Sequence, residues 1–217
     1  MKHRDRYATP ETPEAQWEPG SRGRVLRNRL HIRGARAMDL AEYSALLEVQ
    51  TRYLRIVTPE LCFTAAYLRQ MHRDWMGGIY EWAGRYRMVS LEKAGFRWPP
   101  PGRVEANMRT FEETTLREHT PCLPGRIDSV CRAIAIVHAE FLIIHPFRDG
   151  NGRLARWLAD LMALQAGLPA PHYGFVGRGS RVERGRYLAA VQRGYLTDYE
   201  DLAAFFRDAI ERREDAF

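Results

Sequence analysis

The spacing of apolar residues constrains the fold of this chain more than any other feature. From Val25 onward, apolar side chains recur at i, i+3 and i+4, which is the spacing of one buried face of an α-helix. The pattern predicts helices at 37–54, 58–76, 104–118, 129–144, 152–166 and 180–213, the last with a break near Gly194. Only residues 85–101 look extended. The sequence therefore predicts an all-α helical bundle that carries one small β-hairpin.

The extended stretch and the N-terminal segment set the predicted organisation. Aromatic and apolar residues flank a turn at Ala94-Gly95, and three prolines at 99–101 close the stretch, as in a hairpin. Residues 1–24 are rich in proline, glycine and charge without periodicity, and are predicted to form a flexible arm. A length of 217 residues suits one domain, which we place at 25–213.

Composition limits the classes of partner and compartment. The chain has 33 Lys+Arg against 27 Asp+Glu, and only Lys2 and Lys93 are lysines, so 33 minus 2 leaves 31 arginines. This balance permits an anionic ligand or a nucleic acid without naming one. The three cysteines form no CxxC pair and carry no metal-site spacing, and no apolar run reaches the roughly 18 residues of a membrane span. We predict reduced thiols and a cytoplasmic location.

One twelve-residue segment, "HPFRDGNGRLAR" at 145–156, concentrates reactive side chains. Pro146 disfavours helical geometry at the residue before it, so a helix should end there and leave the His145 imidazole at its end. The glycines around Asn151 then open the next helix, where free backbone N–H groups and the helix dipole form an anion site. The segment predicts a phosphate-binding turn beside a histidine.

The charged side chains of the segment fit a nucleotide. Arg153 and Arg156 are three residues apart, hence on one helix face, and two guanidinium forks suit a di- or triphosphate. Asp149 is placed to hold Mg²⁺ between phosphate oxygens, and His145 to accept a proton from an attacking hydroxyl. Each residue also has an ordinary alternative, such as an Arg156–Asp160 ion pair or Asp149 as a helix cap.

The segment resembles the signature of the Fic family, HxFx(D/E)GNGRxxR, with every specified position filled. The segment "IYEWAGRYR" at 79–87 is similar to an aromatic segment of that family, and residues 25–32 resemble the entry to its fold. The resemblance covers about residues 25–210. It implies a helical domain that transfers AMP from ATP to a Tyr, Ser or Thr hydroxyl of a target protein and releases pyrophosphate.

The same resemblance implies roles for individual residues. His145 would be the general base, and Asp149 would bind Mg²⁺. Phe147 would be a buried anchor, and the hairpin at 90–98 would be a flap that holds the target segment. The residues that would bind the phosphates of ATP are Gly150, Asn151, Gly152, Arg153 and Arg156, with Asn151 at the α-phosphate.

Several alternatives stay open at this stage. The same site could transfer UMP, GMP, phosphocholine or a phosphoryl group, although Gly152 argues against the phosphorylating branch of the family, which has lysine there. A basic nucleic-acid-binding protein is the alternative from another class. Tyr173 and Tyr187 are candidates to border the adenine, whereas His72 and His138 are interpreted as packing residues.

Regulation is the least defined part of the prediction. The nearest match to the inhibitory family motif (S/T)xxxE(G/N) is 44–48, but Val49 fills the Gly/Asn position, so Glu48 is not expected to inhibit. A second near match at 197–201 has Asp in place of the Glu. We expect basal activity or a small separate inhibitor, as in toxin–antitoxin pairs, and a role as a toxin or delivered effector is compatible with the resemblance.

Overall fold

The computed structural model describes residues 12–93, 95–177 and 179–212, and is mainly helical. The α-helices are α1 (Ala35–Tyr53), α2 (Ala65–Met76), α3 (Pro101–Phe111), α4 (Arg117–His119), α5 (Ile127–Ile144), α6 (Asn151–Gln165), α7 (Ser180–Gly194) and α8 (Glu200–Glu211). A π-helical turn joins α3 to α4. Strands β1 (Glu92–Lys93) and β2 (Phe96–Arg97) pair antiparallel. The predicted fold class, helical with one small hairpin, is confirmed.

The chain divides into two compact units. The first contains the described residues up to Ile56, together with Thr64–Arg109 and Ile144–Leu154. The second contains Val57–Phe63, Thr110–Ile143 and the described residues from Ala155 onward. The prediction of one domain over 25–213 is not tested by this division and stays a prediction. None of the helices in the described part of the chain is long and apolar enough to cross a membrane.

In the first unit, α1 packs on α2. The Trp75 indole N–H donates to the backbone carbonyl of Glu42 over 2.9 Å, and the Tyr53 hydroxyl donates to Asp74 over 2.9 Å. The buried residues of α1 are Met38, Glu42, Leu46, Val49 and Tyr53. The helical spacing of apolar residues over 37–54 also predicts that Leu40, Tyr43, Leu47 and Leu54 are buried, whereas all four are exposed. The predicted buried face is wrong because a charged residue, Glu42, lies at the centre of the face that packs on α2.

The start of α2 also differs from the sequence prediction. The run Thr58-Pro59-Glu60 predicted a helix start, whereas α2 begins at Ala65, capped by the Thr64 side chain, which accepts from the Tyr67 N–H over 3.0 Å. Within the second unit, the Gln165 amide donates to the carbonyl of Thr58 over 3.0 Å. Long-range pairing of this backbone replaces the helical hydrogen bonds that the local sequence favours.

Residues 12–24 belong to the stretch that the sequence predicts as a flexible arm, and they are fixed within the first unit. The Glu14 side chain is buried and accepts a hydrogen bond from the Met88 N–H. Arg148, in the motif segment, donates to the Glu14 carbonyl over 2.8 Å. Composition does not reveal these contacts, because they depend on residues far away in the sequence. The predicted arm residues 1–11 lie outside the described residues.

The second unit is built on α5, α7 and α8. Phe205 and Phe206 of α8 are buried, as is Tyr187 of α7, and the rings of Tyr187 and Phe205 lie 5.4 Å apart. A Cβ built on Gly194 would lie 2.7 Å from the Cβ of Ala139, so α7 approaches α5 closely only because this position is glycine. The break predicted near Gly194 is the loop between α7 and α8.

Candidate active site

The motif segment forms the loop between α5 and α6, as the sequence predicts. α5 ends at Ile144, one residue before His145, and α6 begins at Asn151. The backbone of His145 has a φ of 51°, in the left-handed region. This conformation costs a residue other than glycine about 1–2 kcal/mol, and the following proline restricts His145 further. Strain of this kind persists only where the surrounding structure holds it.

Arg87 is the residue that holds the strained backbone. Its Nε donates to the His145 carbonyl over 2.7 Å, and its backbone N–H donates to the Pro146 carbonyl over 2.8 Å. Nη2 donates to the Pro99 carbonyl over 2.6 Å. The side chain is fully buried, and burial lowers the pKa of the guanidinium to about 10, which the nearby Glu14 carboxylate opposes.

Sequence reasoning did not assign Arg87 a function. The available signal was its place at the end of the "IYEWAGRYR" segment, whose resemblance to the family does not indicate a contact with the histidine.

The hairpin exit lies against the His145 side chain. The rings of Trp98 and His145 have centroids 4.1 Å apart at an interplanar angle of 31°. Phe96 of β2 contacts Trp98 edge-on at 5.3 Å. The structure thus brings together the hairpin and the histidine that the sequence predicts to work together, and it adds Trp98 as the contact between them.

The loop is closed by Phe147 and Asn151. The Phe147 N–H donates to Asn151 Oδ1 over 2.9 Å, and Asn151 Nδ2 donates to the Phe147 carbonyl over 2.8 Å. Both side chains are buried, so the expected anchor role of Phe147 has a direct structural basis. Because both ends of the Asn151 amide bond to the loop, a contact of Asn151 with the α-phosphate stays a prediction.

His72 of α2 packs against the motif loop. Its ring stacks on Phe147 with centroids 4.0 Å apart and planes 11° from parallel. The Gly84 N–H donates to His72 Nδ1 over 2.9 Å, so the proton lies on Nε2, which donates to the Asp149 carbonyl over 3.1 Å. Burial lowers the pKa of His72 to about 4, so the ring is neutral at pH 7. His72, which the sequence predicts to be a packing residue, therefore also contacts the motif loop.

Gly150 occupies a position that other residues do not fit. Its φ is 82°, and a Cβ there would lie 2.9 Å from the Trp75 ring and 3.0 Å from Met76 Cε. Glycine is therefore required both by the left-handed backbone and by the close approach to α2. The two features hold the N-terminus of α6 against α2, with its first N–H groups directed away from the helix body.

Asp149 and Arg153 form the charged edge of this turn. Asp149 Oδ1 accepts from the Gly150 N–H over 2.5 Å, and Arg153 Nη2 lies 3.5 Å from the same oxygen. The Arg153 guanidinium stacks over Trp75 at 4.7 Å and also pairs with Glu42, a buried residue of α1. The sequence predicted neither partner, because Glu42 reads as an ordinary helix residue.

A cleft of about 350 Å³ opens at this edge, within the first unit. Its lining includes Arg148, Asp149 and Arg153 of the motif segment, together with Arg24, Asp39 and Glu42. The cleft therefore carries both signs of charge.

Asp149 is the motif residue whose chemistry suits a metal ion. Within the described ranges, no group of three or more His, Cys, Asp or Glu residues is placed to hold a metal. Mg²⁺ that accompanies a nucleotide takes one or two carboxylates plus phosphate oxygens and water. The half-exposed Asp149 carboxylate beside the N-terminus of α6 fits that requirement.

Arg156 lies on α6 in the second unit, surrounded by aromatic rings. Its guanidinium is 5.9 Å from the Tyr173 ring, 5.4 Å from Phe175 and 5.9 Å from Tyr187. At such distances a cation is attracted to the ring faces. Both tyrosines that the sequence nominates as neighbours of the adenine are therefore neighbours of Arg156.

Two buried polar pairs complete this cluster. The Tyr173 hydroxyl donates to Asp160 over 2.7 Å, and burial raises the pKa of the Asp160 carboxyl to about 7. The Tyr187 hydroxyl lies 2.8 Å from His138 Nε2, and burial lowers the pKa of His138 to about 3. His138 is buried and neutral, as its interpretation as a packing residue requires.

Comparisons with known proteins agree with the motif. The model of the Fic/DOC family matches residues 62–163. A probable protein adenylyltransferase of Sinorhizobium fredii, y4lH, is 31% identical over 207 residues, covering 94% of this chain and 99% of that protein. A probable protein adenylyltransferase Fic of Salmonella typhimurium is 29% identical over 192 residues, covering 88% of this chain and 90% of the relative.

Solved structures share the fold. The N-terminal FIC domain of Bep8, a VirB-translocated effector of Bartonella sp. 1-1C, superposes with a TM-score of 0.73 at 17% identity, covering 97% of each chain. BepC of Bartonella tribocorum, solved with bound AMPPNP, has a TM-score of 0.69 at 20% identity, covering 87% of this chain and 93% of BepC. With a full motif, a matching fold and a relative similar over nearly its whole length, the chain belongs to the Fic/DOC family.

Proposed function

We propose that this protein is a protein adenylyltransferase that transfers AMP from ATP to a hydroxyl side chain of a target protein. The observation that carries the proposal is the complete motif, folded into one loop whose histidine is held by Arg87 and whose glycine turn is packed on α2. Relatives named as protein adenylyltransferases cover nearly the whole chain, and BepC was solved with an ATP analogue.

The proposed reaction is an in-line displacement at the α-phosphorus. The target hydroxyl oxygen forms a new bond to this phosphorus, the bond to the β-phosphate oxygen breaks, and pyrophosphate leaves. His145 takes the hydroxyl proton as general base. Such transfers need positioning and charge neutralisation more than covalent help from the protein.

The other motif residues are assigned to the nucleotide. The N–H groups at Gly150, Asn151 and Gly152 open α6 and suit the phosphates. Arg153 and Arg156 are assigned to the outer phosphates and the leaving pyrophosphate. Asp149 would hold Mg²⁺, which supplies charge neutralisation between phosphate oxygens when bound.

Target binding is assigned to the hairpin. An exposed edge of β1 and β2 can accept an extended target segment by strand addition. Trp98, which contacts both Phe96 and His145, is placed to align such a segment with the base.

Transfer of UMP, GMP, phosphocholine or a phosphoryl group remains the alternative at this site, and nucleic-acid binding is the alternative outside it. A transfer assay with ATP labelled at the α- or the γ-phosphate separates them. Label from the α-position alone supports AMP transfer, whereas label from the γ-position alone indicates phosphorylation. Unlabelled UTP and GTP should compete weakly, and a salt-dependent DNA-binding assay tests the non-enzymatic alternative.

Regulation and location are extensions of the proposal. Glu48 is exposed on α1, next to the buried Val49, and we assign it no inhibitory role. We assign inhibition to a small separate protein whose glutamate would bind near Arg156, and we place the enzyme in the cytoplasm, with delivery into another cell as an alternative.

A further inference from the structure

Glu42 of α1 is a buried carboxylate directed at the motif. The residue is only 4% exposed. Its Oε1 accepts from the Tyr80 hydroxyl over 2.5 Å, and its Oε2 accepts from Arg153 Nη1. A buried charge is tolerated only where it is paired and hydrogen-bonded, and both oxygens of Glu42 meet that condition.

Arg153 is fixed on three sides as a result. Nη1 bonds to Glu42, Cζ lies over the Trp75 ring at 4.7 Å from its centroid, and Nη2 lies 3.5 Å from Asp149 Oδ1. The Trp75 indole is itself fixed, because it donates to the Glu42 carbonyl over 2.9 Å. One guanidinium fork therefore joins a buried carboxylate of α1 to the exposed carboxylate of the motif loop. A lysine, with a single point charge, does not reproduce this arrangement.

We propose that Glu42 is a positioning residue, which acts through Arg153 to hold Asp149 and the first turn of α6 ready for a metal-bound nucleotide. The proposal deepens the proposed function and rests on it for its transfer readout. It assigns a role to a residue 111 positions away from its partner and outside the motif.

The opposite role, a brake that neutralises Arg153, fits the contacts less well. A carboxylate that gives way to a phosphate must be able to leave, whereas Glu42 is held by Tyr80 and by the packing of α1 on α2. Moving it away would leave a buried charge unpaired, which is strongly unfavourable. Glu42 also uses only one nitrogen of the fork.

The test replaces Glu42 with Gln, which keeps the shape and removes the charge. Two readouts do not require transfer: calorimetric binding of ATP over a series of Mg²⁺ concentrations, and amide hydrogen exchange of residues 149–153. We expect the half-saturating Mg²⁺ concentration to rise about tenfold, equivalent to about 1.4 kcal/mol. Exchange in the loop should be faster by a similar factor, and transfer should fall while the melting transition stays cooperative.

Matched variants separate positioning from general stability. Glu48→Gln, on the exposed side of the same helix, should leave the Mg²⁺ dependence unchanged. Arg153→Lys should raise the half-saturating Mg²⁺ concentration at least as much as Glu42→Gln does, because Arg153 is also assigned to the outer phosphates. The double variant should be no worse than Arg153→Lys alone, because Glu42 acts through Arg153.

Tyr80→Phe removes one hydrogen bond from Glu42 and keeps the ion pair, so it should raise the half-saturating Mg²⁺ concentration about threefold, a part of the tenfold effect. If Glu42→Gln does not fold, Tyr80→Phe replaces it as the test. An unchanged Mg²⁺ dependence of Tyr80→Phe would then overturn the proposal.

Two results for Glu42→Gln overturn the proposal. Faster transfer would identify Glu42 as a brake, and unchanged Mg²⁺ dependence with unchanged exchange would leave it a packing residue only. A wild-type protein that binds ATP with Mg²⁺ but transfers no AMP would refute the proposed function, while the binding and exchange measurements would still decide the role of Glu42.

Discussion

Replacing Arg87 with Met should displace His145 while leaving most of the fold intact. The substitution keeps an unbranched side chain as far as the position of Nε and removes every guanidinium bond. Among the bonds lost are those to the carbonyls of Val89 at 2.9 Å, Pro99 at 2.6 Å and His145 at 2.7 Å.

The cost in stability follows from two opposing effects. A hydrogen bond from a charged donor contributes about 1.5–3 kcal/mol. Burial lowers the pKa of Arg87 to about 10, so removing the buried charge also removes an unfavourable desolvation, which partly offsets the lost bonds. For the three short bonds together, we expect a net loss of about 2–6 kcal/mol in the free energy of unfolding.

The cost in activity comes from His145 alone. Its left-handed backbone is unfavourable by about 1–2 kcal/mol, and the bond from Arg87 Nε outweighs that strain. Without the bond, the relaxed conformation becomes the more stable one by the same amount. The productive conformation then falls to a minority, and transfer should slow by about 5- to 30-fold.

The assay is single-turnover AMP transfer at saturating ATP, below the melting transition of both proteins, with urea unfolding measured in parallel. Arg85→Met is the matched control, because Arg85 lies in the same segment and is exposed. It should change neither quantity. An Arg87→Met protein that is folded and transfers AMP at the wild-type rate would refute the role of Arg87 in holding His145.

Three further outcomes are expected. His145→Ala should lower the transfer rate by about 10²–10⁴-fold and leave the Kd for ATP unchanged in calorimetry; near-normal turnover would remove His145 from the chemistry. Gly150→Ala should lower the free energy of unfolding by about 2–4 kcal/mol in urea, because it adds left-handed strain and a clash with Trp75; a loss under about 0.5 kcal/mol would contradict the packing. Burial lowers the pKa of His72 to about 4. Between about pH 6.5 and pH 4, His72 is therefore protonated in the unfolded chain and neutral in the folded protein. The free energy of unfolding should therefore fall by on the order of 3 kcal/mol as the pH is lowered from about 6.5 to 4. A His72→Gln protein whose urea unfolding depends on pH as the wild type does would argue against this.

The boundaries set by local chemistry could be predicted from the sequence. Pro146 marks the end of α5 and Gly167 follows the end of α6, because proline and glycine act within a few residues. The hairpin could be predicted because the sequence places Gly95 between its strands, and this glycine has a φ of 81°. The start of α2 could not be predicted, because Thr58 is bonded to Gln165, 107 residues away. A long-range contact overrides a local signal that is correct in other settings.

The same distinction holds for the site. His145 and Asp149 could be identified because the motif places them on one turn. The residues that hold them come from distant parts of the chain: Arg87 lies 58 positions from His145, and His72 lies 77 positions from Asp149. No periodicity or spacing relates such pairs. The sequence therefore predicts the reacting groups, whereas the structure is needed to find what positions them.

AMP transfer by the His145 loop is tested most directly by the intact mass of an acceptor protein after incubation with the enzyme, ATP and Mg²⁺. We expect the wild-type protein to add the mass of one adenylyl group (AMP less one water) to a Tyr, Ser or Thr side chain, with one pyrophosphate released for each acceptor modified, and we expect His145→Ala to add none. An acceptor mass increased by one phosphate group, or an equal AMP adduct with the His145→Ala protein, would contradict adenylyl transfer by this loop.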